Sequence, residues 1–262
     1  MRLKFFIITG ILFSILFNPA LVRAENLRIF AADALPKPIE EIGHLFEKSH
    51  PGITIYYSFL GSGILKGDIQ QGAPCDIFLC ANRKFQRQLK KTGFINNYKI
   101  FAYDYLALAT PFNNPGNVNY ANMIQKLMDK NISLTTSTPH ADPAGDYTWK
   151  MFKLINKKYP GAFKKIVSHA NHLLDAALII PVLVNNDTDI GILYTSQILE
   201  VERQGTKLNM IPIPAKYNTK AKFTASILKT SKHKKIAKQF INFLFSPKGK
   251  QILKFWGFTP VK

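Results

Sequence analysis

Hydrophobic residues in the first hundred positions occur in two patterns, short continuous runs typical of buried strands and the spacing typical of helices. Short apolar runs at 27–32, 53–59 and 76–80 predict strands, because each is about as long as a buried strand and is followed by turn residues. Between the runs, apolar residues recur at helical spacing. The helix after the first run has the inward stripe Ile39, Ile42, Leu45 and Phe46. Strands that alternate with helices predict a parallel sheet with ligand loops at the carboxyl ends of its strands.

The middle of the chain repeats this alternation and predicts a second lobe. Residues 99–110 form an extended run that is long enough to leave one lobe and enter another as a hinge-crossing strand. Residues 189–194 predict a buried strand that ends at Tyr194. Residues 223–228 predict a strand that returns to the first lobe, followed by helices that are apolar on one face. We therefore predict an α/β protein with two lobes joined by hinge strands, each lobe a mostly parallel sheet flanked by helices.

The lobes are assigned as 25–102 with 215–262 for lobe 1, and 103–214 for lobe 2. Two lobes joined by crossing strands can open and close around a ligand. We expect closure on binding, and so a smaller radius of the liganded protein in small-angle scattering.

Residues 135–149, TTSTPHADPAGDYTW, join a strand end, a turn and a helix start. The helix is predicted to begin after Ala144 and Gly145. A helix start has unpaired backbone N–H groups, and small residues let an anion approach them closely. A turn of this kind is more often only structural, but residues 58–65, SFLGSGIL, repeat the pattern around Ser62. Two such elements facing one cleft predict an anion site made of neutral donors.

The first 24 residues read as a secretory signal rather than as part of the fold. Arg2 and Lys4 precede a 13-residue apolar core, and Val22, Arg23 and Ala24 fit a cleavage site before Glu25. The alternative is an uncleaved membrane anchor, for which the core is short. We expect a cleaved, periplasmic protein.

Charge and motifs exclude several other functions. Without Arg2, Lys4 and Arg23, the 35 basic residues fall to 32 and the formal charge falls from +19 to +16. The lysines lie on polar helix faces without interleaved aromatic residues, so we expect a solvated surface and no nucleic-acid partner.

Cys75 and Cys80 are five residues apart on a predicted strand, on opposite faces and too far apart for a disulfide, which predicts two buried thiols.

No catalytic motif is present. The chain has no nucleophile elbow, phosphate-binding loop or dinucleotide fingerprint. His169 and His172 are three residues apart, which is compatible with two metal ligands but more typical of solvent-facing helix residues. We therefore expect neither an enzyme nor a bound cofactor.

Five segments, in this order, resemble the periplasmic molybdate-binding proteins of ABC importers. They are FAADAL, SFLGSG with IQQGAPCDIFLCAN, STPHADPAGDYTW, DIGILY, and FLFSPKGKQILKFWGF, and together they span nearly the whole mature chain. The resemblance implies a two-lobed binding protein without a cofactor, in which a monomer holds molybdate or tungstate and delivers it to a membrane permease. By position, it implies a ligand site made of Ala34, Ser62, Ala144, Ala176 and Tyr194. Ala176 is placed by counting back 18 residues from Tyr194.

The first loop departs from the family pattern. Ala34 stands where relatives offer a hydroxyl, and Asp33 beside it adds a negative charge. Asp33 either points away or binds a side chain of the other lobe. Molybdate, tungstate and sulfate remain alternatives. Asp33, Tyr103, Tyr105 and Tyr194 also keep open an iron(III) or other metal-complex binding protein of the same fold.

Overall fold

A computed structural model describes residues 25–262, and the predicted signal at 1–24 lies outside this range. The described chain forms eleven strands and ten helices. The strands, in chain order, are β1 (Glu25–Ala32), β2 (Ile53–Leu60), β3 (Ile77–Cys80), β4 (Ile95–Asp104), β5 (Leu106–Pro111), β6 (Leu134–Ser137), β7 (Ala170–Leu173), β8 (Ile190–Tyr194), β9 (Leu208–Pro212), β10 (Ala221–Leu228) and β11 (Thr259–Pro260). The helices are α1 (Pro36–Ser49), α2 (Ser62–Gln70), α3 (Arg83–Lys91), α4 (Met123–Leu127), α5 (Pro143–Lys158), α6 (Ala162–Val167), α7 (Ile179–Val184), α8 (Thr195–Arg203), α9 (Lys234–Leu244) and α10 (Pro247–Phe255).

The strands form two sheets, one in each lobe. The sheet of lobe 1 has the order β11-β4-β10-β3-β1-β2, and the sheet of lobe 2 has the order β7-β6-β8-β5-β9. Strands β1, β2 and β3 run parallel, as do β6, β7 and β8, whereas β10 and β5 are antiparallel to their neighbours. The predicted α/β class with two sheets flanked by helices is confirmed, but each sheet is mixed rather than mostly parallel, with parallel strands in one part and antiparallel strands in the other.

Local sequence explains the helices that flank the cleft. Helix α1 begins with proline, which has no N–H to leave unpaired, and it buries Ile39, Ile42 and Phe46 of the predicted stripe. Helix α5 begins at Pro143, with Asp142 as its N-cap residue. The prediction that this helix begins after Ala144 and Gly145 is wrong, because both residues lie in its first turn.

The predicted single strand over 99–110 is also wrong. Strand β4 starts earlier, at Ile95, and ends at Asp104, and β5 begins at Leu106 in the other sheet. At the break, the carboxylate of Asp104 accepts a hydrogen bond of 2.7 Å from the backbone N–H of Tyr105 and a second one from the hydroxyl of Thr195. The chain therefore changes sheets at Tyr105. The division into 25–102 with 215–262 and 103–214 stays a prediction.

The positions of the histidines and cysteines differ in part from the predictions. His172 lies in β7 rather than on a helix, and His169 directly precedes that strand. Cys75 and Cys80 are free and buried, as predicted. They do not lie on opposite faces, because β3 begins only at Ile77 and both thiols pack into one apolar cluster with Phe78. Within 25–262, no helix has the length and apolarity that a bilayer crossing requires.

Candidate functional site

The loops at the carboxyl ends of the parallel strands of both sheets face each other between the lobes. In lobe 1, the pairing of Ala32 with Leu60 brings the loop after β1 beside the start of α2. In lobe 2, the parallel strands β6, β7 and β8 end beside one another and lead into α5, α7 and α8. The predicted residues Ala34, Ser62, Ala144, Ala176 and Tyr194 all lie on these loops or helix starts.

The two lobes are in contact at this edge. The backbone N–H of Gly63 in lobe 1 donates to the carbonyl oxygen of Ala141 in lobe 2 at 2.8 Å. Nearby, the ammonium of Lys84 lies 3.3 Å from the carboxylate of Asp146, across the same boundary. The structure is therefore a closed form, in which lobe 2 rests on the first turn of α2.

Asp33 is buried and reaches across the cleft. Its Oδ2 accepts hydrogen bonds of 3.3 Å from the backbone N–H of Ala177 and from the side-chain amide of Gln197, both in lobe 2. Of the two alternatives left open by the sequence, Asp33 thus binds the other lobe, through one backbone amide and one side chain. Its neighbour Ala34 is almost fully buried and has no hydroxyl to contribute.

Asp142 takes one of the amides that the sequence assigned to the ligand. Its Oδ2 accepts a hydrogen bond of 3.1 Å from the backbone N–H of Ala176. The Ala144 amide also acts on this carboxyl and lowers its pKa, although burial and the charge of Asp33 raise that pKa well above the ordinary value. An oxyanion that used the Ala176 amide would have to share it with Asp142 or displace the carboxyl.

Tyr194 is the residue with an unused donor. It is fully buried, and its hydroxyl has no hydrogen-bond partner within the described residues. Its ring packs edge-on against Phe223 at a centroid distance of 5.4 Å. Burial, followed by the charges of Asp142, Tyr147 and Asp33, raises the pKa of the phenol well above its ordinary value. Tyr194 therefore keeps its proton and can donate it to a ligand in a hydrogen bond.

Ser62 is fixed within lobe 1. Its side chain is fully buried, and its Oγ accepts a hydrogen bond of 3.2 Å from the backbone N–H of Ala81. This bond uses only an oxygen lone pair, and the hydroxyl also forms a hydrogen bond with Cys80 that lowers the pKa of that thiol, so a ligand would compete with Cys80 for the Ser62 proton. The ligand-binding role of all five predicted residues stays a proposal.

Three side chains of this region were missed by the sequence analysis: Asp142, Asp175 and Gln197. The position of Asp142 directly before Pro143 is a typical N-cap signal and could have been recognised. Asp175 and Gln197 make local hydrogen bonds with the backbone N–H groups of Leu178 and Tyr194, but their action on Asp33 spans long sequence separations and has no local signal.

The residues of the iron hypothesis have different environments. The side chain of Tyr105 is exposed and shares the ammonium of Lys220 with Tyr103, whereas Tyr194 is fully buried. In residues 25–262, no group of three or more histidine, cysteine, aspartate or glutamate side chains is placed to hold a metal ion. The structure therefore does not bring the three phenols together with Asp33 as a ligand set.

A basic cavity opens beside the cleft. Its volume is about 390 Å³, and it lies between α3, α5 and the strand β10. The charged side chains that line it are Arg83, Lys84, Lys150, Lys220, Lys222 and Asp146. Cations gathered around a concave surface raise the local concentration of anions.

The buried acids make stability depend on pH. Burial first, and then the charge of Asp175, raise the pKa of Asp33 to about 7, and burial raises the pKa of Asp104 to about 6. Because the folded state holds these protons more tightly than the unfolded state, the free energy of unfolding should fall as pH rises from about 4 to about 7.

Asp33→Asn should reduce the fall in the free energy of unfolding that accompanies a rise in pH. We expect the ligand-free variant to lose less unfolding free energy than the parent protein between pH 5 and pH 8, by on the order of 1 to 3 kcal/mol. Urea unfolding at both pH values measures the difference. Asp187→Asn, at an exposed position, serves as the control and should follow the parent protein. An equal loss of unfolding free energy in Asp33→Asn and in the parent protein would contradict the raised pKa of Asp33 as a source of the pH dependence.

The comparison with known proteins identifies a family. The family described as bacterial extracellular solute-binding protein matches residues 27–259. The molybdate-binding protein ModA of Mycobacterium tuberculosis is 23% identical over 237 residues, which cover 90% of this chain and 85% of ModA. The putative ABC transporter substrate-binding lipoprotein YvgL of Bacillus subtilis is 26% identical over 239 residues, which cover 89% and 86%.

Solved structures with different ligands share the fold. The periplasmic molybdate-binding protein of Azotobacter vinelandii superposes with a TM-score of 0.77 at 20% identity, covering 90% of this chain and all of the other. The sulfate-binding protein SubI of Mycobacterium tuberculosis gives 0.81 at 18% identity, covering 90% and 87%. Iron-bound HitA of Pseudomonas aeruginosa gives 0.63 at 14% identity, covering 87% and 84%. At these identities, the likeness shows the fold alone.

Proposed function

The chain belongs to the family of bacterial extracellular solute-binding proteins, and on that premise we propose that it is the substrate-binding component of an ABC importer. It captures a tetrahedral oxyanion between its lobes, with molybdate first and tungstate second. Ala34, Ser62, Ala144, Ala176 and Tyr194 supply the neutral donors. The named relatives that bind molybdate and the two-lobed fold support this assignment.

The observation that carries the proposal is the unpartnered hydroxyl of Tyr194. A buried hydroxyl without a partner is unfavourable by about 1 to 3 kcal/mol, and at the edge where the lobes meet a ligand oxygen would supply the missing acceptor. Neutral donors suit a buried dianion, because they replace its hydration shell and leave no unpaired protein charge after release. The basic cavity beside the cleft favours an anion as the solute.

The remaining parts of the proposal follow from this role. We propose that residues 1–24 are a cleaved secretory signal, that the mature chain works in the periplasm as a monomer, and that its protein partner is a membrane permease. It acts by binding and release, and so is not an enzyme and uses no cofactor.

A screen of melting temperatures tests the ligand. A site assembled from two lobes does not exist in the unfolded chain, so ligand at about 100 times its Kd should stabilise by about 2.7 kcal/mol and raise the Tm by about 5 to 10 °C. The compounds are molybdate, tungstate, sulfate, phosphate and iron(III) citrate. We expect molybdate and tungstate to give the largest increases.

Binding of iron(III) or another metal complex is the second candidate, and it is supported by the fold shared with iron-bound HitA and by the buried carboxyl of Asp33, although no three acidic side chains of residues 25–262 are grouped to hold a metal ion. Carboxylates are hard oxygen ligands that suit such a cation. A rise of the Tm with iron(III) citrate alone would overturn the oxyanion proposal in favour of this candidate.

A further inference from the structure

Three aspartates meet where the lobes touch. Asp33 follows β1 in lobe 1, whereas Asp142 caps α5 and Asp175 follows β7 in lobe 2, and all three are buried. A buried carboxylate is stable only when a cation or several hydrogen-bond donors compensate for its lost hydration. Here the main charges acting on Asp33 and Asp142 are those of the other aspartates. Burial and mutual repulsion therefore raise the pKa values of these carboxyls in the closed form, so that their protonated state is favoured.

Burial and the charges of neighbouring aspartates raise the pKa of the two deepest carboxyls, Asp33 and Asp142, and hydrogen bonds lower it in both. Burial, and then the charge of Asp33, raise the pKa of Asp142 well above its ordinary value, although hydrogen bonds from Ser137 and Ala144 lower it. Asp33 accepts bonds from Ala177 and Gln197, which lower its pKa, and it therefore titrates near pH 7. The protonation of Asp33 thus changes near neutral pH.

Each of these carboxyls has a free atom in the cleft. Oδ1 of Asp33 and Oδ1 of Asp142 are buried without a partner among the described residues, like the hydroxyl of Tyr194. A protonated carboxyl can donate one hydrogen bond, whereas an ionised one can only accept. Oδ1 of Asp33 can therefore join the hydroxyl of Tyr194 as a donor to an oxyanion when Asp33 is protonated, whereas an ionised Asp33 repels the oxyanion.

Other groups around Asp33 fit this arrangement. Gln197 on α8 is neutral and already donates to Asp33, and Tyr194 at the end of β8 is held in its neutral form. Asp175 acts on Asp33 by its negative charge. Asp104 and Tyr147 act on the phenol of Tyr194 rather than directly on Asp33.

We propose that the cleft binds its oxyanion together with one proton, which is shared between an oxygen of the anion and the carboxyl of Asp33. The proposal rests on the oxyanion function proposed above and adds Asp33 to the binding residues. No covalent bond forms or breaks in the protein. The proton comes from solvent when the anion is fully ionised, as molybdate is, or arrives on the ligand when the anion carries a proton, as hydrogen phosphate does.

Titration calorimetry with molybdate between pH 6 and 8.5 tests the proposal. We expect nearly constant affinity below about pH 6.5 and a fall approaching tenfold per pH unit above about pH 7.5, because Asp33 must then take up a proton on binding. Repeating the titration at pH 8 in two buffers with different ionisation enthalpies measures that uptake, which should be close to one proton.

Two variants examine the role of Asp33. Asp33→Asn has a permanent donor, so its affinity should be independent of pH and should exceed that of the parent at pH 8.5. Asp175→Asn removes a negative charge near Asp33, so its affinity should begin to fall at a lower pH than that of the parent. Thermal melts of both variants establish that they are folded. A parent protein with flat affinity and no proton uptake would overturn the proposal, as would an Asp33→Asn variant that keeps the parent's pH profile.

Inorganic phosphate distinguishes the two sources of the proton. If the ligand supplies the proton, hydrogen phosphate should bind more tightly than molybdate at pH 8 and without uptake, which supports the shared proton. If neither anion binds at any pH, the proposed oxyanion function fails, and this inference fails with it. Molybdate binding that does not depend on pH overturns only the inference.

Discussion

Gly63→Ala should abolish closure of the lobes while leaving each lobe folded. A Cβ atom at Gly63 would lie 2.0 Å from the carbonyl oxygen of His140 and 2.6 Å from that of Ala141. Both are backbone atoms of lobe 2, so they cannot move aside as a flexible side chain can. Because Gly63 belongs to lobe 1, the clash exists only in the closed form. We expect at least a 100-fold loss of molybdate affinity, equivalent to about 2.7 kcal/mol.

Gly67→Ala is a matched control on the same helix. A Cβ atom at Gly67 has no neighbour within 4 Å. Both substitutions replace glycine by alanine in α2, which favours the helix by roughly 0.5 to 1 kcal/mol. Small-angle scattering should show contraction with saturating molybdate in Gly67→Ala and in the parent protein, and no contraction in Gly63→Ala. If Gly63→Ala contracts and binds within threefold of the parent, the closed arrangement of the lobes is not the liganded one.

Tyr194→Phe should weaken binding without weakening the fold. The substitution removes one donor to a buried anion, and a hydrogen bond to a charged group contributes about 1.5 to 3 kcal/mol, or roughly 10- to 150-fold in affinity. The ring contact with Phe223 is retained. The hydroxyl has no hydrogen-bond partner within residues 25–262, so its loss should leave the stability of the protein without ligand unchanged or slightly higher.

Tyr217→Phe is the control for this substitution. Tyr217 is also buried, and its hydroxyl likewise has no partner within the described chain. It lies between β9 and β10, outside the loops that carry the predicted site. Its substitution should have a similar effect on stability and no effect on affinity. Calorimetry and thermal melts on both variants separate the two effects, and an unchanged affinity in Tyr194→Phe would remove Tyr194 from the site.

The contacts of Asp33 change how the departure at Ala34 is understood. The sequence shows the loss of a hydroxyl at Ala34 and an added charge at Asp33. The structure places that carboxyl against Ala177 and Gln197 of lobe 2, so the first loop is organised around Asp33. If the shared proton is correct, Asp33 replaces the missing hydroxyl as a donor, and the pH of the surrounding solution becomes part of the binding equilibrium.

The sequence by itself determined the class of fold and the position of the ligand edge. Apolar runs with helical stripes between them determined the alternation of β1, α1 and β2, because burial on one face imposes a period on the chain. The same signal determined that β8 is buried and ends at Tyr194. Parallel strands then require their loops to emerge at one edge, so the general location of the site followed without coordinates.

Tertiary structure alone decided how the chain divides between the sheets and which donors remain free. The extended pattern continues through Tyr105, and the change of sheet there depends on Asp104, whose partners include Thr195, 91 residues away. Strand β7 escaped prediction because its exposed side chains carry no apolar alternation. Asp33 meets Ala177 and Gln197 over separations of 144 and 164 residues. Local periodicity contains no information about such partners, since it reports which side of an element is buried and not what lies against it.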